Sequence, residues 1–144
     1  MSKIAITLVG SRTGRAGAHV AQRVLDQAHQ RGDADHDLVD LPQTGEPPAI
    51  GRLQPRTRQG TRTVAAYDGH VIVTPEYSHP FPGVLKNPLD RVHAEWNTKA
   101  VTFVSYGVDR GVPALKALRT DFTGFGATFA PWRHALPVPT AASR

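Results

Sequence analysis

Short apolar runs alternate with stretches of helical period along this chain. Ile4 to Val9, broken only by Thr7, ends on Gly10-Ser11 and reads as a buried parallel strand entering a loop. Ala21, Val24, Leu25 and Ala28 then recur at helical spacing with Gln22, Arg23, Asp26 and Gln27 opposite, and Arg31-Gly32 supplies a basic last turn and a glycine stop. His36 to Leu41 is a second, more polar strand, ended by Pro42, Gly45, Pro47 and Pro48, and residues 42 to 55 hold no periodic pattern. Arg56 to Ala66 reads as a short helix, although Gly60 and three Thr are poor helix formers. Asp68-Gly69 turns the chain into a third strand, Val71 to Thr74, which breaks at Pro75.

Asn87-Pro88 is a helix start: Asn caps free amides, and proline at the first helical position lacks the amide that would go unbonded. Leu89, Val92, His93 and Trp96 share one face of that helix. Lys99 to Tyr106 is the fourth strand and Gly107 to Gly111 a loop, after which Val112, Leu115, Leu118 and Phe122 mark one side of a further helix. Gly124 to Pro131 reads as a fifth strand. Pro131, Pro137 and Pro139 forbid a regular helix beyond it, so residues 131–144 are expected to form a proline-rich irregular tail, over the surface or on another subunit.

The alternation predicts a three-layer α/β sandwich in which a parallel sheet carries helices on both faces, joined by right-handed crossovers. Ligands of such sheets sit beyond the carboxyl ends of the strands, where the strand order switches. Three loops therefore matter: Gly10 to Gly17, Thr74 to Gly83 and Ser105 to Gly111.

Length and composition narrow the chemistry. At 144 residues the chain is expected to form one domain. The absence of cysteine excludes a disulfide framework, a thiolate metal site and a cysteine nucleophile. No Gly-x-Ser-x-Gly or His-Glu-x-x-His pattern occurs, and the seven His are scattered without metal-ligand spacing. No catalytic acid, base or nucleophile and no metal site are assigned. The apolar run at the N-terminus is too short for a signal peptide, and no later window is apolar enough to span a membrane, so a cytoplasmic protein is expected. A net charge of +5 favours anionic partners without choosing one. The cluster Arg52, Arg56, Arg58 and Arg62 comes with no recognised nucleic-acid-binding motif and reads as a solvated basic face.

The first loop joins two hydroxyls, two guanidinium groups and three glycines at a helix N-terminus, a composition suited to cradling phosphate and equally to a glycine-rich turn with solvated arginines. Its spacing is neither Gly-x-Gly-x-x-Gly nor that of a P-loop. The loop after the third strand is stiffened by prolines and carries Tyr77 and Phe81. It suits a flat heteroaromatic ring, or a turn whose aromatics plug the core. His79 in this loop is given no role.

Thr74-Pro75-Glu76-Tyr77-Ser78 through Pro82-Gly83-Val84-Leu85-Lys86-Asn87-Pro88-Leu89-Asp90 resembles the signature of the NADPH-dependent FMN reductase family, whose usual form is T-P-E-Y-N-x-x-x-P-G-x-L-K-N-x-x-D. Gly10 to Arg15 resembles that family's phosphate loop, one residue shorter than the common form, and Phe103 to Gly107 its fourth-strand loop. Ser78 stands where Asn is usual, and Val108 where a second glycine often comes next. The resemblance covers about residues 3 to 130. It implies a flavodoxin-like fold with a five-stranded parallel sheet of order 2-1-3-4-5, the family's final helix being absent here.

The resemblance further implies that Ser11, Arg12 and Arg15, with Thr13 and Gly14 between them, hold the FMN phosphate. Pro75, Glu76, Tyr77 and Ser78 would pack along the isoalloxazine, and Ser105, Tyr106 and Gly107 would close its other side. Lys86, Asn87 and Asp90 look structural. The implied activity passes a hydride from NADPH to bound FMN and on to a quinone, an azo compound or free flavin, in a homodimer or tetramer. The trimmed segments also suit a flavodoxin-fold scaffold that acts through protein contacts without flavin reductase activity, and an electron carrier is a further alternative.

Overall fold

A computed structural model describes residues 1–9, 16–40, 62–78, 81–83, 85–86, 89, 94–107, 109–126 and 128–137, the last stretch by its backbone. Five strands, β1 (Lys3–Leu8), β2 (Asp35–Asp40), β3 (Gly69–Pro75), β4 (Ala100–Gly107) and β5 (Thr128–Pro137), form one sheet in the order β2-β1-β3-β4-β5. Every neighbouring pair is parallel, as strands joined by crossovers require. Two helices, α1 (Gly17–Arg31) and α2 (Val112–Gly124), cover opposite faces.

The strict two-residue period of the central strands assigns each side chain to a face. Ile6, Leu8, Val73, Val104 and Tyr106 pack with Val20 and Ala21 of α1. Ile72, Val101 and Phe103 pack on the other side with Ala114, Leu118 and Phe122 of α2. Phe122 is the hub of the second layer: its ring centroid lies 4.9 Å from Trp96 and 5.2 Å from Phe103, both edge to face. Each such pair contributes about 1 kcal/mol beyond its buried area.

The first four strands stand within two residues of the positions their patterns predict, and both long helices contain the apolar stripes that foretold them. Gly32 ends α1 in the left-handed conformation, φ 65°, confirming it as the stop. Of the expected helix over 56–66, residues 62–65 are helical, with the Ala66 amide donating to the Arg62 carbonyl at 3.0 Å, and the earlier part lies outside the described residues. The Asn87-Pro88 start, Val92 and His93 also lie outside them. Leu89 and Trp96, expected on one face, are buried in the same cluster, the latter in a short 3-10 turn, Ala94–Trp96.

The C-terminal region corrects the sequence reading. The fifth strand does not end at Pro131 but continues to Pro137, so residues 131–137 are strand rather than irregular tail. Pairing with β4 runs from Ala100↔Thr128 to Val101↔Phe129, breaks, and resumes at Phe103↔Arg133. Pro131 falls in that irregularity, where no ladder amide is needed, and β5 is an edge strand, so proline does not terminate it. Residues 138–144 lie outside the described residues. No helix among the described residues is long and apolar enough to cross a membrane.

Candidate functional site

The switch in strand order falls between β1 and β3, since the chain leaves β1 for β2 on one side and later returns to β3 on the other. Their carboxyl ends are level: Leu8 is in register with Val73, and the Val9 amide donates to the Val73 carbonyl at 2.9 Å. Pro75 is in register with Tyr106 at the end of β4. Two of the three loops singled out by sequence thereby emerge side by side.

The segment after β3 rises from the interior to the surface, with Pro75 buried, Glu76 and Tyr77 half-buried and Ser78 exposed. The Glu76 amide donates to the Tyr106 carbonyl at 2.9 Å, which extends the β3–β4 ladder by one bond into the loop. Ser78 then adopts φ 49°, a left-handed conformation that Asn tolerates better than Ser. The family's usual Asn at this position thus has a backbone reason. Phe81 and Pro82 return to the core, so Phe81 plugs it and Tyr77 is the aromatic left at the rim.

In the loop after β4, the Ser105 side chain is fully buried and its hydroxyl donates to the Gly111 carbonyl at 2.7 Å. Tyr106 is 7% exposed and packs in the α1 layer. Both side chains hold the loop in shape from inside, and Ser105, in register with Thr74 on one side and Ala135 on the other, is fully enclosed, backbone included. Gly107 lies against Glu76: a Cβ built there would stand 2.6 Å from Glu76 Cβ and 2.9 Å from its Oε2. Arg110 and Gly111 are both left-handed, φ 57° and 73°, just before α2. Among the described residues with left-handed backbone other than glycine, Ser78 and Arg110 stand at this edge and Thr98, φ 66°, at the opposite one.

Ser11, Arg12, Thr13, Gly14 and Arg15 lie outside the described residues. The start of α1, immediately after them in the chain, suits an anion. Its first turn contains no acidic residue, and Ala16 at the cap position has no side-chain acceptor, so the positive end of the helix is uncompensated by its own side chains.

Lys86 is set apart from this edge. Its ammonium pairs with Asp121 of α2 at 3.3 Å, a partly exposed contact between the loop after β3 and that helix. His70, which the sequence reading did not single out, is buried at the opposite end of β3. Its Nε2 lies 3.3 Å from the Val64 carbonyl, which makes that nitrogen the donor, and its ring meets Trp96 edge to face with centroids 4.9 Å apart. Burial pulls its pKa down to about 4.

The model of the NADPH-dependent FMN reductase family matches residues 3–137. The chain belongs to this family. An NAD(P)H-dependent FMN reductase of Schizosaccharomyces pombe is 31% identical over 147 residues, covering 95% of this chain and 74% of the relative. A second protein of that description, from a Nectria species, is 31% identical over 126 residues, covering 77% of this chain and 62% of its own length, less than two thirds. Among solved structures, the flavoenzyme NAD(P)H:acceptor oxidoreductase FerB of Paracoccus denitrificans superposes with a TM-score of 0.81 at 18% identity, over 99% of this chain and 82% of FerB. A flavodoxin of Streptococcus pneumonia superposes with a TM-score of 0.69 at 14% identity, over 99% of this chain and 90% of the flavodoxin, and together the two likenesses show a flavodoxin-like fold.

Proposed function

We propose that this family member is an FMN-dependent NAD(P)H oxidoreductase, with NADPH as the preferred donor and a quinone, azo compound or free flavin as acceptor. The observation that carries the reading is the convergence, at the carboxyl edge, of the Thr74–Ser78 loop and the Ser105–Gly111 loop, in a chain matched by the family model from residue 3 to 137. The curated relatives named as NAD(P)H-dependent FMN reductases support it.

Bound FMN would supply the chemistry, two-electron transfer from a nicotinamide to an acceptor, so the protein's part is binding and orientation. In this reading Ser11 to Arg15 and the amino end of α1 take the phosphate. Pro75 to Ser78 form a stiff platform for one side of the ring, with Tyr77 at the rim, and the Tyr106–Gly107 backbone closes the other, the bare Gly107 making room for Glu76. Arg12 and Arg15 add positive charge that favours phosphate-bearing dinucleotides. A cytoplasmic homo-oligomer completes the proposal.

The test is the visible spectrum of the purified protein before and after addition of FMN and dialysis. Retained bands at about 370 and 450 nm, bleached by NADPH without oxygen, support the reading. A protein that retains no FMN overturns it and gives the lead to a scaffold acting through protein contacts.

A further inference from the structure

Glu76 has the position of a ring contact in the family signature, yet its carboxylate is engaged within the protein. The Gly111 amide donates to Glu76 Oε2 at 3.1 Å, across 35 residues of sequence. The side chain lies directly over Gly107, where any Cβ would collide with it. Its own amide is bonded to the Tyr106 carbonyl. One residue therefore joins the β3 loop to the β4–α2 loop at three places.

The charge is matched to this position. Helix α2 has Gly111 at its cap position, no side-chain cap and no acid in its first turn. A carboxylate from another element accepting the Gly111 N–H supplies the negative charge that the positive end of the helix favours. Gly111 is also the residue whose carbonyl takes the buried Ser105 hydroxyl, so the carboxylate grips a point already fixed from beneath. The next two residues after Glu76 in the loop are the half-buried Tyr77 and the exposed Ser78, and Ser78 has to be held in an uncommon left-handed conformation against solvent.

We propose that Glu76 is a positioning residue, whose carboxylate locks the Pro75–Ser78 backbone onto Gly107 and Gly111 and so presets the platform on which the flavin ring lies. This role rests on the proposed FMN binding and deepens it: the carboxylate acts through the loops, and the ring meets the backbone that the carboxylate holds. The Gln variant keeps an acceptor for the Gly111 N–H and loses the charge, whereas Ala loses both.

The test compares wild type, Glu76→Gln and Glu76→Ala by FMN fluorescence titration, by the visible spectrum of bound FMN, and by amide exchange of residues 107–112 in the flavin-free protein. Loss of a hydrogen bond to a charged group predicts FMN binding weakened about tenfold in E76A, with E76Q between it and wild type. The spectrum of FMN on E76A should move toward that of free FMN, and exchange at 107–112 should rise. A contribution to folding alone would leave the spectrum unmoved. E76A with wild-type FMN affinity and spectrum overturns the proposal, as does unchanged exchange at 107–112. Should E76A fail to fold, E76Q decides: wild-type affinity and spectrum in E76Q overturn the proposal. A wild-type protein that binds no FMN overturns the functional reading itself, an outcome separate from equal binding by wild type and variant.

Discussion

Gly17, the first residue of α1, lies directly beneath the hydroxyl of Tyr106, which reaches it from the end of β4 across the intervening β3. A Cβ at Gly17 would overlap that hydroxyl and come within 2.9 Å of Leu8 Cδ1. The contact brings the amino end of α1 down onto the carboxyl edge of the sheet, so the start of α1 and the ends of β1 and β4 share one packing point.

Gly17→Ala should therefore destabilise the protein. The gain in helix propensity, about 1 kcal/mol, is outweighed by an overpacking cost of about 1–3 kcal/mol at a buried site. Tyr106→Phe removes the overlapping oxygen and should recover part of the loss in the double variant. Urea unfolding of the two single variants and the double variant measures the coupling, and a G17A protein as stable as wild type would show that the packing point gives way easily.

Ser78→Asn should raise the melting temperature slightly, because Asn populates the left-handed region at φ 49° more readily than Ser. The expected gain is a few tenths to about 1 kcal/mol, the range of single backbone adjustments of this kind. Calorimetry of the flavin-free protein checks it, and a lowered melting temperature would mean that Ser78 owes its conformation to a contact that Asn breaks.

His70 gives the fold a defined acid sensitivity. Its pKa in the folded protein, about 4, lies below the value of 6.5 for an exposed histidine. The unfolded chain therefore takes up a proton first as pH falls, and the protein loses stability from about pH 6.5 down to about pH 4, by about 3 kcal/mol in total. Above pH 6.5 the residue contributes no pH dependence. His70→Gln retains a donor for the Val64 carbonyl and should flatten unfolding free energy over that window. Parallel slopes for wild type and H70Q in urea titrations at pH 7, 5.5 and 4.5 would contradict this.

Arg12→Ala and Arg15→Ala should weaken FMN binding by about tenfold each if the guanidinium groups grip the phosphate, since such charge-assisted pairs are worth about twice a neutral hydrogen bond. Riboflavin, which lacks the phosphate, is the control. Its affinity should not change, and equal effects on both ligands would relocate the arginines to the ring or to the fold.

Much of this protein is legible without a structure, because burial imposes period on sequence. Ile4 to Leu8 and Val71 to Val73 are short apolar runs that only a strand covered on both faces explains, and the Ala21–Ala28 stripe admits one helical face. Strand order came from the family signature rather than from periodicity. The fifth strand exposes the limit of local rules: Pro131 is a strand breaker in isolation, yet it sits at a break in pairing on an edge, where no amide is missed. The role of Glu76 lay beyond reach for a different reason. Residue type and motif place it at the ring, and its engagement with Gly107 and Gly111 depends on two loops meeting that are far apart in the chain, Glu76 and Gly111 being 35 positions apart. The same holds for Tyr106 over Gly17 and for the buried His70, whose neighbours come from separate elements. The sequence by itself determined the first four strands, both long helices and the family, and singled out the sheet edge of the candidate site. Tertiary structure alone decided which side chains face inward to shape that edge, because such contacts are set by the crossing of distant segments and leave no period in the chain.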